Sequence, residues 1–284
     1  MNDPRGVLII IGGSVNLPTE DYNEDNGENA LLESPDILNR FTKHLMGETN
    51  RIEIIPAASE IPQKIGDEYI QAFRQLGYEN VGVLNIRDRA DTRNTEFLDR
   101  IQEAEGVLFT GGNQLRLTSI LGGTQFSSIL FDRYRNEPLV IAGTSAGAMA
   151  MSDTMIYGGS SYEALLKGEV HFSPGFGLLN GIIIDTHFVK RGRIGRLFQA
   201  VASNPASLGI GLGEDTGLLI KDGGIKESIG SGLVIIVDGY SIRYSNFAHI
   251  DQGKPISIEN LCVHVMVPGD KYILSERRFV RAES

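Results

Sequence analysis

The chain has 284 residues, of which 41% are hydrophobic and 22% charged, and these fractions are typical of a soluble globular protein. Its formal net charge of −10 argues against general binding to nucleic acid. The charge is compatible with a cationic partner, but an ordinary contribution to solubility explains it better. No run is long enough to span a membrane, and the opening residues lack a basic-then-apolar leader, which predicts a cytoplasmic protein.

Short apolar runs alternate with helical patterns in the first half of the chain. Predicted strands cover residues 6–11, 51–56, 81–86, 106–110 and 138–142, and predicted helices cover residues 34–46, 60–76, 95–104 and 125–136. Because single helices between strands require crossover connections, we predict a doubly wound α/β fold, with a mainly parallel sheet and helices on both faces.

Three of the predicted strands end in small or polar turns, at residues 12–13, 111–113 and 143–145. In a doubly wound fold, ligands bind at the carboxyl ends of the strands, so we expect these turns to meet in one crevice. Between the first strand and the first helix, residues 16–33 contain six carboxylates and no lysine or arginine. This segment is either a mobile acidic loop or a surface that holds a cationic substrate.

The pattern changes after residue 152. A Gly/Ser-rich loop at residues 157–162 and a turn at residues 174–175 precede a strand at residues 181–185 and a basic helix. Later strands are predicted at residues 217–221, 232–237, 241–244, 262–267 and 272–274, and Cys262, the single cysteine, is predicted to lie in the core. We expect antiparallel or mixed extensions of the main sheet, and therefore one domain over residues 1–284 with a strand-rich extension from about residue 217.

Ser145 lies in the pattern Gly143-Thr144-Ser145-Ala146-Gly147, between an apolar strand and the start of a helix. Small residues on either side of a serine permit the strained turn that lifts a nucleophilic hydroxyl out of a sheet. The backbone N–H groups that open the following helix can stabilise negative charge on a substrate oxygen. The alternative is an ordinary serine in a glycine-rich turn.

A nucleophilic serine needs a histidine base, which in turn needs a carboxylate. Of the five histidines, His187 directly follows a predicted strand and is therefore expected at the crevice. Asp185, Glu214 and Asp215 remain open as carboxylate candidates. The order of serine, histidine and acid differs from that of the α/β-hydrolases, which argues against a lipase or esterase.

Arg191, Arg193 and Arg196 follow His187 closely. Three guanidinium groups separated by glycines form either a clamp for substrate carboxylates or the solvated start of a basic helix. The acidic character of the rest of the chain favours the clamp. No motif with metal-ligand spacing and no dinucleotide or phosphate loop is present, so we expect neither a metal nor a cofactor.

Four ordered motifs together resemble the cyanophycinases of serine peptidase family S51: TGGNQLRL from residue 110, GTSAGA from 143, DTHFVKRGRIGRL from 185 and GIGLGEDT from 209. The resemblance implies a sheet like that of class I glutamine amidotransferases. It also implies an intracellular serine exopeptidase that cuts the polyaspartate backbone of cyanophycin and releases β-Asp-Arg dipeptides through an acyl-enzyme. The resemblance also suggests a homodimer.

Motif matching assigns roles to individual positions. The resemblance implies Ser145 as nucleophile, His187 as base, Glu214 as its orienting carboxylate, and an oxyanion hole near the amides of Gly112 and Ala146. The implied substrate pocket comprises Gln114, Asp185, Thr186, Arg191, Arg193 and Arg196. Thr186 and Asn113 depart from the glutamine and aspartate that are common in the family, which allows a shifted substrate preference.

Two other functions are compatible with the sequence. An aspartyl dipeptidase would use the same fold and serine on short peptides that begin with α-aspartate. A non-catalytic protein would retain the fold to bind an acidic peptide or metabolite. The arginine run and the chain length favour the polymer-degrading enzyme over the first, and the joint presence of serine, histidine and carboxylate argues against the second.

Overall fold

The computed structural model describes residues 3–13, 36–222 and 224–282, so the predicted acidic loop at residues 16–33 lies outside the described residues. The strands, numbered in chain order, are β1 Val7–Ile11, β2 Ile52–Ile55, β3 Val81–Val83, β4 Gly106–Phe109, β5 Val140–Thr144, β6 Thr154–Gly159, β7 Val170–Pro174, β8 Ile182–Asp185, β9 Leu208–Leu212, β10 Thr216–Lys221, β11 Gly224–Gly230, β12 Val234–Asp238, β13 Tyr244–Ser245, β14 Ile258–Glu259, β15 Cys262–Met266, β16 Lys271–Ile273 and β17 Arg278–Val280. The α-helices are α1 Asp36–Lys43, α2 Pro62–Gln75, α3 Thr95–Glu103, α4 Gln114–Leu121, α5 Gln125–Asn136, α6 Ala146–Ala150 and α7 Ile194–Ser203.

The main sheet has nine described strands in the order β17-β16-β11-β10-β1-β5-β4-β2-β3. The five strands from β1 to β3 in that order are parallel, and β10, β11, β16 and β17 add an antiparallel extension. β1 and β5 are buried along their whole length, as expected for parallel strands covered on both faces. The predicted α/β class and the antiparallel C-terminal extension are therefore confirmed.

A second sheet has the order β15-β12-β9-β8, with β8 parallel to β9 and the other pairs antiparallel. Our prediction that the late strands extend the main sheet is wrong for β12 and β15, which belong to this second sheet. The glycines of β9 explain the tight packing on this sheet, since a Cβ at Gly209 would overlap Leu197 of α7 and one at Gly211 would overlap Phe188.

Local signals explain most helix boundaries. Thr124 and Ser127 form a reciprocal capping box at the start of α5, Asn94 caps α3, and Pro62 occupies the first turn of α2. The predicted helix at residues 125–136 matches α5 at both ends. α4 was not predicted, although Asn113 caps it by accepting a hydrogen bond from the amide of Arg116.

Several other predictions need correction. Residues 157–159 were expected in a loop and lie instead in β6, which forms a hairpin with β7. Residues 81–86 form a strand only over Val81–Val83, and the strand predicted at residues 241–244 is the two-residue β13. Cys262 was expected in the core and is only partly buried. Among the described helices, none is long and apolar enough to cross a membrane.

Candidate active site

The three turns predicted to form a crevice do meet at one edge of the main sheet. The amide of Ser145 donates to the carbonyl of Ile11 over 2.9 Å, and Thr144 Oγ1 donates to the carbonyl of Gly13 over 2.6 Å. A Cβ at Gly111 would lie 3.6 Å from Ser145 Cβ, so the turn after β4 flanks the serine on its other side. The carboxyl ends of the adjacent strands β1, β5 and β4 therefore surround Ser145.

Ser145 occupies a sharp turn between β5 and α6, with φ 51° and ψ −107°. A side-chain-bearing residue adopts such angles only where the surrounding structure enforces them. Space on either side is minimal, because a Cβ at Gly143 would overlap the carbonyl of Gly147, and one at Gly147 would overlap the carbonyl of Phe109. Both glycines are thus required for the close approach of α6 to β4 and β5.

Ser145, His187 and Glu214 form a continuous hydrogen-bonded series. Ser145 Oγ lies 2.9 Å from His187 Nε2, and His187 Nδ1 lies 2.7 Å from Glu214 Oε1. The imidazole side chain is 16% exposed, which keeps it within reach of a substrate bound at the surface. This is the geometry of a nucleophile, a base and an orienting carboxylate.

His187 is brought to the serine by the second sheet rather than by the main sheet. It follows β8, has a left-handed φ of 52°, and donates its amide to the carbonyl of Gly12 over 3.0 Å. Glu214 follows β9, the strand next to β8, and packs so closely on Gly13 that a Cβ there would overlap the Glu214 carboxylate. The Gly12-Gly13 turn therefore aligns both the base and its partner.

The structure separates the three carboxylate candidates. Of these three, Glu214 is the carboxylate for which the described structure shows a hydrogen bond with the His187 ring. Asp215 turns away with φ 42° and accepts a hydrogen bond from Ser231 Oγ over 2.8 Å. Asp185 is fully buried and pairs with arginines, as described below. His44, His171, His249 and His264 lie elsewhere in the chain and make no hydrogen bond to Ser145 within the described structure.

Gly112 and Ala146, the two positions expected to supply an oxyanion hole, both have constrained backbones. Ala146 is the first residue of α6, and its N–H therefore has no carbonyl to reach within the helix. Gly112 has φ 140°, and a Cβ at this position would overlap the carbonyl of Ala58. Only glycine satisfies both the backbone angle and the close approach.

The three arginines differ in their surroundings. Arg193 Nη1 lies 3.1 Å from Asp185 Oδ1, and Arg196 Nε lies 3.0 Å from Asp185 Oδ2. Burial raises the pKa of Asp185, and the two guanidinium groups act in the opposite direction. Arg191 is exposed, and its side chain makes no ion pair within the part of the chain that the structure describes. Two of the three expected clamp residues thus hold an internal carboxylate.

The remaining predicted pocket residues lie close to α6. Gln114 Nε2 donates to the carbonyl of Ile156 over 3.0 Å, which fixes the side chain between α4 and β6. Thr186 is fully buried, and its Oγ1 lies 3.3 Å from Met149 Sδ. Thr144 and Gly13 were not predicted as site residues, although the Gly12-Gly13 turn was a signal in the sequence. Within residues 3–13, 36–222 and 224–282, no group of three or more His, Cys, Asp or Glu side chains could hold a metal ion.

Known proteins resemble this chain over most of its length. The sequence profile described as Peptidase family S51 matches residues 26–228. The cyanophycinase of Trichormus variabilis is 38% identical over 278 residues, covering 98% of this chain and 89% of the relative. The cyanophycinases of Geminocystis herdmanii and Synechococcus elongatus are 35% and 34% identical, covering 94% and 95% of this chain and 93% and 80% of the relatives.

A solved structure described as a peptidase from an acI-B1 Actinobacterium has the same fold. Its TM-score is 0.61 at 22% identity, and the match covers 94% of this chain and 98% of that chain. Fold and site together define a hydrolase of the serine peptidase class. The chain belongs to peptidase family S51.

Proposed function

We propose that this protein hydrolyses cyanophycin, cutting its polyaspartate backbone and releasing β-Asp-Arg dipeptides as a serine exopeptidase. The observation that carries the proposal is the series of hydrogen bonds from Ser145 through His187 to Glu214, in a sequence 34–38% identical to cyanophycinases over nearly its whole length. No cofactor takes part in this proposal.

The proposed reaction begins when His187 Nε2 takes the proton of the Ser145 hydroxyl and Oγ attacks the carbonyl carbon of an aspartyl residue. The amides of Gly112 and Ala146 would stabilise the negative oxygen that forms. As the intermediate collapses, the backbone C–N bond of the substrate breaks and His187 returns the proton to the leaving amine. Water then repeats the sequence on the acyl-enzyme, with Glu214 holding the His187 ring through Nδ1 in both halves.

The proposed substrate pocket is formed by Gln114, Asp185, Thr186, Arg191, Arg193 and Arg196. Some of these residues would contact the substrate, and the others would position those that do. The exposed Arg191 would bind the free carboxylate of a substrate arginine, because its guanidinium group has no described ion-pair partner. The buried Asp185, held by Arg193 and Arg196, would fix the turn that carries His187 and Arg191. Gln114 and Thr186 would set the wall of the pocket beside α6.

The direct test is incubation of the purified protein with insoluble cyanophycin and mass spectrometry of the soluble products. A dominant β-Asp-Arg dipeptide is the expected result. Absence of that dipeptide would contradict the proposed substrate, and turnover of short α-aspartyl peptides in the same preparation would indicate an aspartyl dipeptidase instead.

We also propose that the protein forms a homodimer. Val263 and Val265 share one face of the outer strand β15, and Val267 directly follows the strand. They are 40%, 54% and 48% exposed, which makes an unusually apolar surface at a sheet edge. Light scattering coupled to gel filtration should give twice the chain mass of 31.0 kDa. A monomeric mass at micromolar concentration would contradict the proposal, and Val265→Lys should weaken the dimer.

A cytoplasmic location is proposed on the basis of cysteine usage. A single cysteine permits no internal disulfide, and this is usual in a reducing compartment. Fractionation of cells that express the protein should recover it with cytoplasmic markers. Recovery from culture medium or periplasm would contradict this location.

A further inference from the structure

A cavity of about 500 Å³ lies between the second sheet and the antiparallel extension of the main sheet. None of its residues belongs to the Ser145 site. The lining side chains come from the end of β12 and the residues after it, from one face of β15 and from the turn between β16 and β17: Asp238, Tyr240, Ser241, Cys262, His264, Ser275, Glu276 and Arg277. A volume of this size admits a small molecule.

Cys262 and His264 form a close pair on the cavity wall. They are two residues apart on β15 and therefore share one face of the strand, opposite to the exposed valines. Cys262 Sγ lies 3.4 Å from His264 Nε2, and both residues are partly exposed. The imidazole is thus placed to accept the thiol proton, and the thiolate is the nucleophilic form of cysteine.

Neighbouring aromatic rings fix the imidazole in this position. The Phe279 ring stacks on His264 at 25° with centroids 5.9 Å apart, and the Tyr272 ring lies 5.7 Å away on a tilted plane. Tyr272 also donates its hydroxyl to Asp238 Oδ2 over 3.2 Å, which holds the phenol beside the cavity. The two rings support the orientation in which His264 Nε2 faces the sulfur.

The charged groups around the cavity are paired. Asp238 forms an ion pair with Arg277, whose guanidinium group also lies 5.1 Å from the centre of the Tyr240 ring. Glu276 lies 2.7 Å from Arg278 Nε. Both carboxylates are thus neutralised by a guanidinium group, and neither opposes a negative sulfur strongly. Charges of both signs line the wall, which suits a reagent that carries an ammonium and a carboxylate.

We propose that Cys262 is a covalent modification site, at which the disulfide of a small zwitterionic thiol forms a mixed disulfide with the protein. His264 Nε2 takes the proton of Cys262, and Sγ attacks one sulfur of the small disulfide. The Cys262 S–S bond forms as the reagent S–S bond breaks, and the departing thiolate takes the proton from His264. Half of the reagent stays on the protein and half leaves as a thiol, so no other oxidant is required.

The probe for the test is cystine, and the readout is the rate at which the intact protein gains the mass of one half of the reagent. Because Cys262 is the only cysteine, each adduct reports on one sulfur. The native protein should react about tenfold faster than the same protein unfolded in urea. The ratio of the native rate to the unfolded rate should also be larger for cystine than for the neutral 2-hydroxyethyl disulfide.

His264→Gln should reduce the native rate about tenfold, to the level of the unfolded protein. His249→Gln is the matched control, since His249 is exposed and does not line the cavity, and it should leave the rate unchanged. A native thiol that reacts no faster than the unfolded one would overturn the proposal whether or not the variants fold. Equal rates for wild type and a folded His264→Gln, or no preference for cystine, would overturn it as well.

Discussion

Ser145 and His187 share an uncommon backbone feature: both have positive φ values, 51° and 52°. A backbone hydrogen bond to the first strand or its turn holds each residue in this conformation. The N–H of Ser145 donates to the carbonyl of Ile11, and the N–H of His187 donates to the carbonyl of Gly12. Strain of this kind persists only where neighbouring contacts enforce it. At the residue scale, the reactive geometry is therefore built into the backbone before substrate binds.

Glu214→Gln tests the role of the orienting carboxylate. The amide is nearly isosteric but has no negative charge to stabilise the imidazolium, and its NH2 group can donate to Nδ1 and favour the wrong tautomer. We therefore expect kcat to fall about 10⁴-fold with little change in KM. Steady-state hydrolysis of a soluble cyanophycin fragment provides the measurement. Asp215→Asn is a matched control on the adjacent residue, and a similar loss in both variants would contradict a specific role for Glu214.

Gly13→Ala tests the contact between the first turn and the same carboxylate. A Cβ at Gly13 would overlap the Glu214 carboxylate, so this methyl group should displace it and lower kcat by about 10²-fold or more. Gly224→Ala serves as the control, because a Cβ there meets nothing within 4 Å. Activity of Gly13→Ala equal to that of the control would show that the turn does not position Glu214.

At the element scale, the segment from β8 to α7 is organised around Asp185. This carboxylate is 0% exposed and lies between Arg193, in the turn before α7, and Arg196, in its first turn. Arg193 Nη1 also donates to the carbonyl of Thr186 over 2.7 Å. These contacts fix the turn that carries His187 and Arg191.

Asp185→Ala should therefore lower the free energy of unfolding by about 3–5 kcal/mol, because it leaves two guanidinium groups without their carboxylate. Urea unfolding followed by circular dichroism measures the change. Asp251→Ala removes an exposed carboxylate and should alter stability by less than about 0.5 kcal/mol. Equal stabilities for the two variants would show that the Asp185 ion pairs contribute nothing to the fold.

The sequence predicted those elements whose signals are local. α5 has a capping box and helical periodicity, and the buried strands of the parallel sheet are continuous apolar runs. The β6–β7 hairpin was missed because glycines in a sequence favour a loop, whereas these two are required by the strand pairing. Gly159 has φ 120°, and Gly158 packs on His171 of β7. The four-stranded sheet was missed because partner choice between strands depends on long-range packing that periodicity does not encode.

The candidate site was predicted unevenly for the same reason. The elbow around Ser145 has a local pattern, whereas the choice among Asp185, Glu214 and Asp215 depended on the motif resemblance. Alternation along a strand could not decide it, because positive φ values at His187 and Asp215 break the extended geometry on which such reasoning relies. The pairing of Arg193 and Arg196 with Asp185 was likewise not predictable from their spacing.

At the scale of the whole molecule, the two large sheets share one hydrophobic core. A single cluster of buried residues includes Leu8 and Val107 of the main sheet together with Ile184, Ile210 and Ile236 of the second sheet. This shared core supports our prediction that residues 1–284 form one domain.

Buried tyrosines predict how stability depends on pH. Burial raises the pKa of Tyr69 and Tyr272, and that of Tyr134 to about 12. The unfolded protein releases these phenol protons near pH 10. The stability that they contribute is therefore complete below about pH 10 and is lost as the pH rises toward 12, by about 1.4 kcal/mol per pH unit for each tyrosine.

Urea unfolding at several pH values between about 8 and 11.5 measures this loss. Tyr134→Phe should reduce the slope of stability against pH above about pH 10, whereas Tyr162→Phe should not, because Tyr162 is fully exposed. A slope unchanged by Tyr134→Phe would contradict the assignment.

Labelling with a fluorophosphonate followed by peptide mapping tests whether Ser145 is the nucleophile. We expect one adduct per protein molecule, on Ser145, absent from Ser145→Ala and slowed by cyanophycin fragments. A wild-type protein that gains no adduct, or gains it on another residue, would exclude Ser145 as the nucleophile.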